Sequence, residues 1–314
     1  MDVSSDGNIL VAGTEKDSED AAIVFWDPRN ASQPFATHTS THSDDITTLS
    51  IDPYRISSDS ATPYLLSGST DCLLSLTNLD TVTTAVSEEE SEDIAVEQVS
   101  NWGCSISRAG WVPPKAYKTV ISRESGGEEE EDSSVRIWST SDMESMALWS
   151  YEASLANVHE YGDVRIEIDD PQWKTDYIID AGFCDVEENP GPWGTKGLLK
   201  WCGTNDGGVA LLRLSSKDPS RWNVEQRLIG GHSDIVRCVD WNKMGLIVTG
   251  GEDGKLAFWR METEDEDGDV EMVSSVDVVS PTEEASLGDH GRRRRWESDD
   301  ELKHAHKRRK RLES

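Results

Sequence analysis

Short runs of apolar residues alternate with turn-forming residues along most of the chain, most clearly between residues 231 and 259. There the sequence predicts three strands, Ile235 to Trp241, Leu246 to Gly250 and Lys255 to Trp259. Val, Ile and Trp favour strands, and the Gly, Asn and Asp residues between the runs favour tight turns. The pattern indicates an all-β chain that forms a sandwich, a barrel or a propeller.

An internal repeat separates these three architectures. Its clearest copy places His232 before the first strand, Thr249 on the second, Asp253 in the tight turn and Trp259 on the third. These side chains can meet in a polar network, because buried imidazole and indole N–H groups need hydrogen-bond partners. We therefore interpret His232 as a structural residue and not as a catalytic base.

Further copies have an Asp four residues after a small polar residue and six before an aromatic one, in whole or in part. Ala12 replaces the hydroxyl in the first copy, Thr77 replaces the Trp in the second, and a weaker copy ends at Leu212. The copies lie further apart than the roughly 40 to 45 residues usual for such a repeat, so insertions separate the strands. The remaining network candidates are Asp20 and Trp26, then His42, Ser67 and Asp71, and then Asp132 and Trp138.

Gly231-His232, Phe258-Trp259 and Phe25-Trp26-Asp27 resemble the WD-repeat family, whose fold is a propeller of four-stranded blades. The resemblance implies a WD-repeat β-propeller in residues 1–280, with about five legible blades. Because such propellers commonly have about seven blades, it also implies an incomplete seven-bladed propeller. Residues 2–10 read as a strand end, a turn and the next strand, so we expect a truncated gene product, with five self-closing blades as the alternative.

Charge divides the chain in two. The formal net charge is −31, but 10 of the 30 basic residues fall between Arg292 and Arg311. Residues 1–291 carry 20 basic and 56 acidic residues, which gives −36. An acidic body repels phosphates, so nucleic-acid binding is expected only through the tail, and basic proteins are the natural partners.

The C-terminal segment, residues 281–314, is expected to be a disordered basic tail. It contains two basic clusters in the arrangement of a bipartite nuclear import signal, and a phosphate-binding arm is the competing interpretation. We expect nuclear localisation through an import receptor, with the cytoplasm as a further compartment. The clusters are Arg292, Arg293, Arg294 and Arg295, and Lys307, Arg308, Arg309, Lys310 and Arg311.

Three acidic runs interrupt the repeat. Glu15 to Asp20 and Glu128 to Asp132 are expected between second and third strands, at the end of the blades that also carries the loops before each first strand. Glu88 to Asp93 is expected at the opposite end. The runs are either solvated, partly disordered insertions or an electronegative rim that attracts a basic protein.

Motifs for catalysis are missing from the sequence, including the nucleophile elbow, the phosphate-binding loop, the zinc-protease motif and the dinucleotide fingerprint. The five cysteines are odd in number and widely spaced, which favours free thiols over disulfides or a zinc site. No secretory signal and no apolar stretch of membrane-spanning length is present. We expect no enzyme, no cofactor, no metal site, no small-molecule substrate and no membrane contact.

The predicted function is a non-catalytic protein–protein interaction scaffold in the nucleus. The alternative is an acidic escort or chaperone for a basic client such as a histone or a ribosomal protein. A third class is nucleic-acid binding by the basic tail.

Overall fold

Five antiparallel sheets follow one another along the chain in a computed structural model. It describes residues 1–17, 20–54, 63–84, 88–113, 135–150, 154–162, 174–184, 197–215, 222–242 and 245–260. These residues all belong to one compact unit, Met1–Val279. In each sheet the strands pair in chain order, so each sheet is a meander.

The strands of the five sheets, or blades, are as follows. The first blade contains β1 Asp2–Val3, β2 Leu10–Gly13, β3 Ile23–Trp26 and β4 Ala36–His38, and the second contains β5 Ile46–Ile51, β6 Tyr64–Ser69, β7 Leu73–Asn78 and β8 Val96–Asn101. The third contains β9 Ile106–Trp111, β10 Ile137–Ser141, β11 Met146–Ser150 and β12 Ala156–Tyr161, and the fourth contains β13 Tyr177–Cys184, β14 Gly197–Gly203, β15 Val209–Leu214 and β16 Trp222–Leu228. The fifth has three described strands, β17 Val236–Trp241, β18 Leu246–Gly251 and β19 Leu256–Arg260.

Three short helices lie between strands. A 3-10 helix, Pro28–Asn30, follows β3, and α1 Leu79–Thr84 and α2 Glu88–Ala95 connect β7 to β8. Apart from these, the described elements are strands, which confirms the all-β prediction. The three strands predicted from the clearest repeat agree with β17, β18 and β19 to within one residue at each end.

Four apolar cores lie between consecutive blades. Successive side chains of a strand point to opposite sides of its sheet, so neighbouring residues serve different cores. On β11, for example, Leu148 packs in the core shared with the fourth blade, and Trp149 packs in the core shared with the second. We call the side of a blade that packs on the following blade its forward face, and the side that packs on the preceding blade its backward face.

The third blade departs from the sequence prediction. Trp138 was predicted on the third strand, six residues after Asp132, but it lies on β10, the second strand. The third strand is β11, where Trp149 faces Ile137 as Trp259 faces Ile247 in the fifth blade. The prediction was wrong because a chance spacing in the acidic insertion imitated the turn between second and third strands.

The corrected strand assignment of the third blade also changes the expected position of one acidic run. The run Glu128 to Asp132 precedes β10, the second strand, in the sequence, so it does not fall between a second and a third strand as predicted; the run itself lies outside the described residues. Asp132 itself and both basic clusters of the tail lie outside the described residues.

Candidate functional site

The polar network predicted in the fifth blade is present as a chain of hydrogen bonds. The Trp259 indole Nε1 donates to Thr249 Oγ1 at 2.9 Å, and that hydroxyl lies 2.8 Å from His232 Nε2. On the other side of the ring, His232 Nδ1 lies 3.1 Å from Asp253 Oδ1. The carboxylate can only accept, so Nδ1 carries the hydrogen and the Thr249 hydroxyl donates to Nε2. All four polar groups are thereby satisfied.

Gly231, before the network histidine, is required by the same tryptophan. A Cβ at this position would lie 2.2 Å from Trp259 Cζ2, which no side chain could tolerate. The two residues of the Gly-His dipeptide thus have separate structural roles. The histidine enters the network, and the glycine leaves room for the indole ring.

The second blade builds the network without a tryptophan. His42 Nε2 lies 2.8 Å from Ser67 Oγ, and His42 Nδ1 lies 3.2 Å from Asp71 Oδ2. Because Thr77 stands in the Trp position, the hydroxyl of Ser75 takes over the contact and lies 2.8 Å from Ser67 Oγ. No indole has to be accommodated, and Thr41 occupies the position that Gly231 has in the fifth blade.

This Ser–His–Asp arrangement has the distances of a hydrolase triad, but its serine is inaccessible. Ser67 is fully buried and lies between His42 and Ser75. A nucleophilic serine must face a substrate cleft, so we assign these three residues to the structure of the blade.

In the third blade the network is largely apolar. The Trp149 indole Nε1 donates to Ser139 Oγ at 2.8 Å. Trp102 occupies the position of the histidine, and its ring meets that of Trp149 edge-on with centroids 6.0 Å apart. Met143 stands where the fifth blade has Asp253, and its side chain is exposed. Trp138 instead packs in the core between the third and fourth blades.

The first and fourth blades lack the network. In the first blade, Ala12 occupies the position of Thr249, because Ala12 pairs with Val24 as Thr249 pairs with Ala257. No hydroxyl therefore links Asp20 to Trp26. In the fourth blade, Cys202 faces Ala210 in the position of Thr249, and Leu212 replaces the Trp. Burial raises the pKa of the Cys202 thiol to about 11, so it remains protonated. All five cysteines are free thiols.

Hydrogen bonding shifts the titration of both network aspartates. Burial acts to raise the pKa of Asp253, but the hydrogen bonds from His232 and from the N–H groups of Ser233 and Lys255 outweigh it and hold the pKa well below its ordinary value. The pKa of Asp71 is lowered for the same reason, against the effect of burial, by His42 and two backbone N–H groups. Both side chains therefore remain carboxylates throughout the neutral range.

The network turns lie at one end of the blades, which we call the loop face. It consists of the connections between second and third strands and the connections from one blade to the next. Among the described residues, its exposed carboxylates outnumber its basic side chains, which are Lys16, Lys174, Lys255 and Arg237, the last of them paired with Glu252. The exposed carboxylates are Glu15, Asp17, Asp20, Asp142, Asp206, Asp234 and Glu252.

Two exposed apolar side chains lie in these acidic loops. Met143, in the third blade, is 69% exposed, and Ile229, between the fourth and fifth blades, is 64% exposed. Sequence reasoning missed both, because Met143 was hidden by the misplaced third strand and Ile229 directly follows a strand. A face that combines carboxylates with separate apolar side chains suits the binding of a basic, partly apolar protein segment.

One acidic run also reaches the loop face, although it was predicted at the opposite end. On α2, Glu92 accepts hydrogen bonds from the N–H groups of Thr39 and Ser40 and from the Thr41 hydroxyl, at 2.7 to 2.9 Å. These three residues lead from β4 to the network residue His42. The run is therefore partly a structural clamp on this loop and not simply a solvated insertion.

No three His, Cys, Asp or Glu side chains of the described residues are placed so that they could hold a metal ion together. In the same part of the chain, none of the helices has the length and apolar character needed to cross a membrane.

Comparisons with known proteins agree with the blade geometry. Residues 223–260 match the family model of the WD domain, G-beta repeat. The chain is 25% identical over 274 residues to a WD repeat-containing protein of Saccharomyces cerevisiae and 26% identical over 285 residues to WD repeat-containing protein GTS1 of Arabidopsis thaliana. These alignments cover 82% and 87% of the chain but 55% and 60% of the two relatives, so the chain spans less than two thirds of either.

A solved structure shows the same fold. The crystal structure of the Cps50 (Swd1) β-propeller domain of Myceliophthora thermophila superposes with a TM-score of 0.53 at 13% identity, covering 86% of this chain and 68% of that one. The order of the sequence segments also resembles WD repeat-containing protein 89, and this narrower likeness stays a prediction. The five blades and the solved structure show a β-propeller fold, and residues 223–260 match a WD repeat of the kind found in the similar proteins.

Proposed function

We propose that this protein is a non-catalytic nuclear scaffold whose acidic loop face binds a basic segment of a partner protein. WD-repeat propellers generally act as protein-interaction scaffolds, and the two Ser/Thr–His–Asp networks serve the blades themselves. The observation that carries the proposal is the excess of exposed carboxylates on the loop face, with Met143 and Ile229 among them. Carboxylates attract a basic segment at long range, and apolar side chains stabilise the complex once it has formed.

The test is a charge reversal spread over the face. Glu15→Lys, Asp142→Lys and Asp234→Lys lie in loops of the first and third blades and in the loop before the fifth, and all three side chains are exposed. Proteins captured from nuclear extract by the wild-type chain should be lost by this triple variant. A control variant, Asp80→Lys with Asp240→Lys, changes exposed carboxylates at the opposite end of the second and fifth blades and should retain them. Equal capture by both variants would contradict the proposal.

A second candidate function is the escort of a basic client such as a histone or a ribosomal protein. The charge of −36 on residues 1–291 favours it. A client held mainly by charge should dissociate steeply between about 0.1 and 1 M salt, where the screening length falls from about 10 to 3 Å. A partner anchored by Met143 and Ile229 should persist, and Met143→Ser with Ile229→Ser should release it.

Nuclear localisation rests on the two basic clusters, Arg292 to Arg295 and Lys307 to Arg311. A fluorescent fusion should weaken in nuclear accumulation when one cluster is neutralised and become largely cytoplasmic when both are. If the tail is instead a phosphate-binding arm, deletion of residues 292–311 should abolish a salt-sensitive retention on nucleic acid. Accumulation that is unchanged without residues 292–311 would refute the import role.

A further inference from the structure

Equivalent positions of the five third strands show that the forward face of the fifth blade is uncovered. The residue just before the Trp position is fully buried in the first four blades, at Phe25, Leu76, Leu148 and Leu211. Its counterpart Phe258 is only partly buried. Leu256, two residues before Phe258, is 43% exposed, whereas the equivalent residues of the first four blades are at most 1% exposed.

The backward face of the first blade is uncovered in the same way. The Trp position and the residue two before it are buried in the second to fifth blades, as at Trp259 and Ala257. In the first blade, Trp26 and Val24 are both partly exposed, and Val3, on the same side of the sheet, is 48% exposed. Among the described residues, the first and fifth blades also lack the extensive mutual contact that successive blades make.

The molecule itself shows what such a face binds. At each of its four interfaces between blades, a forward face packs on a backward face. Within the described ranges, one face of each kind is uncovered, around Leu256 and Phe258 on the fifth blade and around Val24 and Trp26 on the first. The two faces are therefore of the two kinds that pack on each other inside the molecule.

We propose that a second copy of this chain docks its first blade on the fifth blade, so that copies associate head to tail. An interface between two different faces leaves one uncovered face at each end of a dimer, so further copies can add. The net charge of −31 opposes this contact at low ionic strength. Added salt therefore strengthens the association, in contrast to the binding of a basic partner on the loop face.

The test uses the full chain in sedimentation velocity at a series of concentrations and salt levels. Wild-type protein should form dimers and longer species, increasingly with salt. Leu256→Glu and Val24→Glu each place a charge in one face and should weaken self-association on the order of tenfold or more. The control Val99→Glu changes a side chain on β8 that is 51% exposed but lies on neither face, and should associate as the wild type does.

Mixing the two variants tests the head-to-tail geometry directly. Leu256→Glu retains an intact first blade and Val24→Glu an intact fifth blade, so an equimolar mixture should form a discrete dimer that neither variant forms alone. Circular dichroism and melting of each variant show whether it is folded, since both substitutions are at partly exposed positions. A monomeric wild type at every concentration, or a mixture that stays monomeric, would overturn the proposal.

Cys238 provides a readout in the unmodified protein. It is exposed, and its Sγ flanks Gly250 on the side where Leu256 also lies, so it belongs to the uncovered face. Its rate of reaction with a maleimide should fall several-fold as the protein concentration rises, while the rate at Cys72, on the loop face, stays constant. A Cys238 rate that is independent of concentration would also count against the proposal.

Discussion

At the scale of single residues, the blade network shows that its members change in concert. The fifth blade combines Trp259 with Gly231, and the second blade combines Thr77 with Thr41. In the fifth blade the glycine leaves room for the indole ring, since a Cβ at residue 231 would overlap it, whereas the third blade holds Trp149 with Asn101 in the glycine position. The clearest blade could be read from sequence because it has all of these members at once, whereas the second lacks the Trp.

This pairing predicts a strong coupling between residues 231 and 259. Gly231→Ala should destabilise the protein by about 1 to 3 kcal/mol, because the core between the fourth and fifth blades becomes overpacked. In a Trp259→Thr background, which imitates the second blade, the same change should cost much less. Urea unfolding of the four proteins of this double-mutant cycle measures the coupling. Additive effects would show that the glycine is needed for another reason.

The lowered pKa values of Asp253 and Asp71 predict a defined pH dependence. In the folded protein these groups stay ionised at a pH where the unfolded chain already binds protons, so their stabilising contribution is complete above about pH 4 and is lost as the pH falls through the folded values. Asp253→Asn removes one of these contributions. The difference in unfolding free energy between wild type and Asp253→Asn should therefore shrink as the pH falls below about 4.

The quantity to measure is the difference in unfolding free energy between wild type and Asp253→Asn, since all other carboxylates titrate in both proteins. A difference that grows as the pH falls below about 4 would contradict the lowered pKa of Asp253.

At the scale of strands and sheets, the sequence predicted the type of element better than its place in the blade. Trp138 and Trp149 both directly follow an aliphatic residue in a strand, and only pairing with neighbouring strands distinguishes a second strand from a third. In the structure, Ser139 faces Ala147, and the Ser139 hydroxyl oxygen accepts a hydrogen bond from Trp149 Nε1. The turn that should have marked this boundary has Met143 in place of the aspartate, so the local signal was missing.

The corrected strand order can be tested by mutation. Ser139→Ala with Trp149→Phe should show a coupling of about 1 kcal/mol, because these two side chains share a buried hydrogen bond. Ser139→Ala with Trp138→Phe should be close to additive, since Trp138 points to the other side of the sheet. Thermal or denaturant unfolding of the single and double variants gives both numbers. Coupling to Trp138 instead would restore the original strand assignment.

At the scale of the whole molecule, charge and packing oppose each other. The repeat could be predicted because each blade uses the same apolar positions, and an incomplete propeller implied uncovered end faces. The side chains that lie on those faces could not be predicted, since burial depends on which sheets meet. The acidic excess was evident from composition, whereas its placement with Met143 and Ile229 required the loop positions.

A net charge of −31 predicts that this propeller is more stable in moderate salt than in its absence. Raising sodium chloride from about 0.01 to 0.1 M shortens the screening length from about 30 to 10 Å, which weakens repulsion between carboxylates on different loops. The buried contact of Arg136 Nη2 with Asp52 Oδ2, 3.4 Å long, is screened much less, so it should not reverse the trend. The variant Glu15→Lys with Asp142→Lys and Asp234→Lys has a net charge of −31 + 6 = −25 and should respond less steeply. Melting temperatures of both proteins over this range test the idea, and a wild-type midpoint that falls with salt would show that attractive ion pairs outweigh the repulsion.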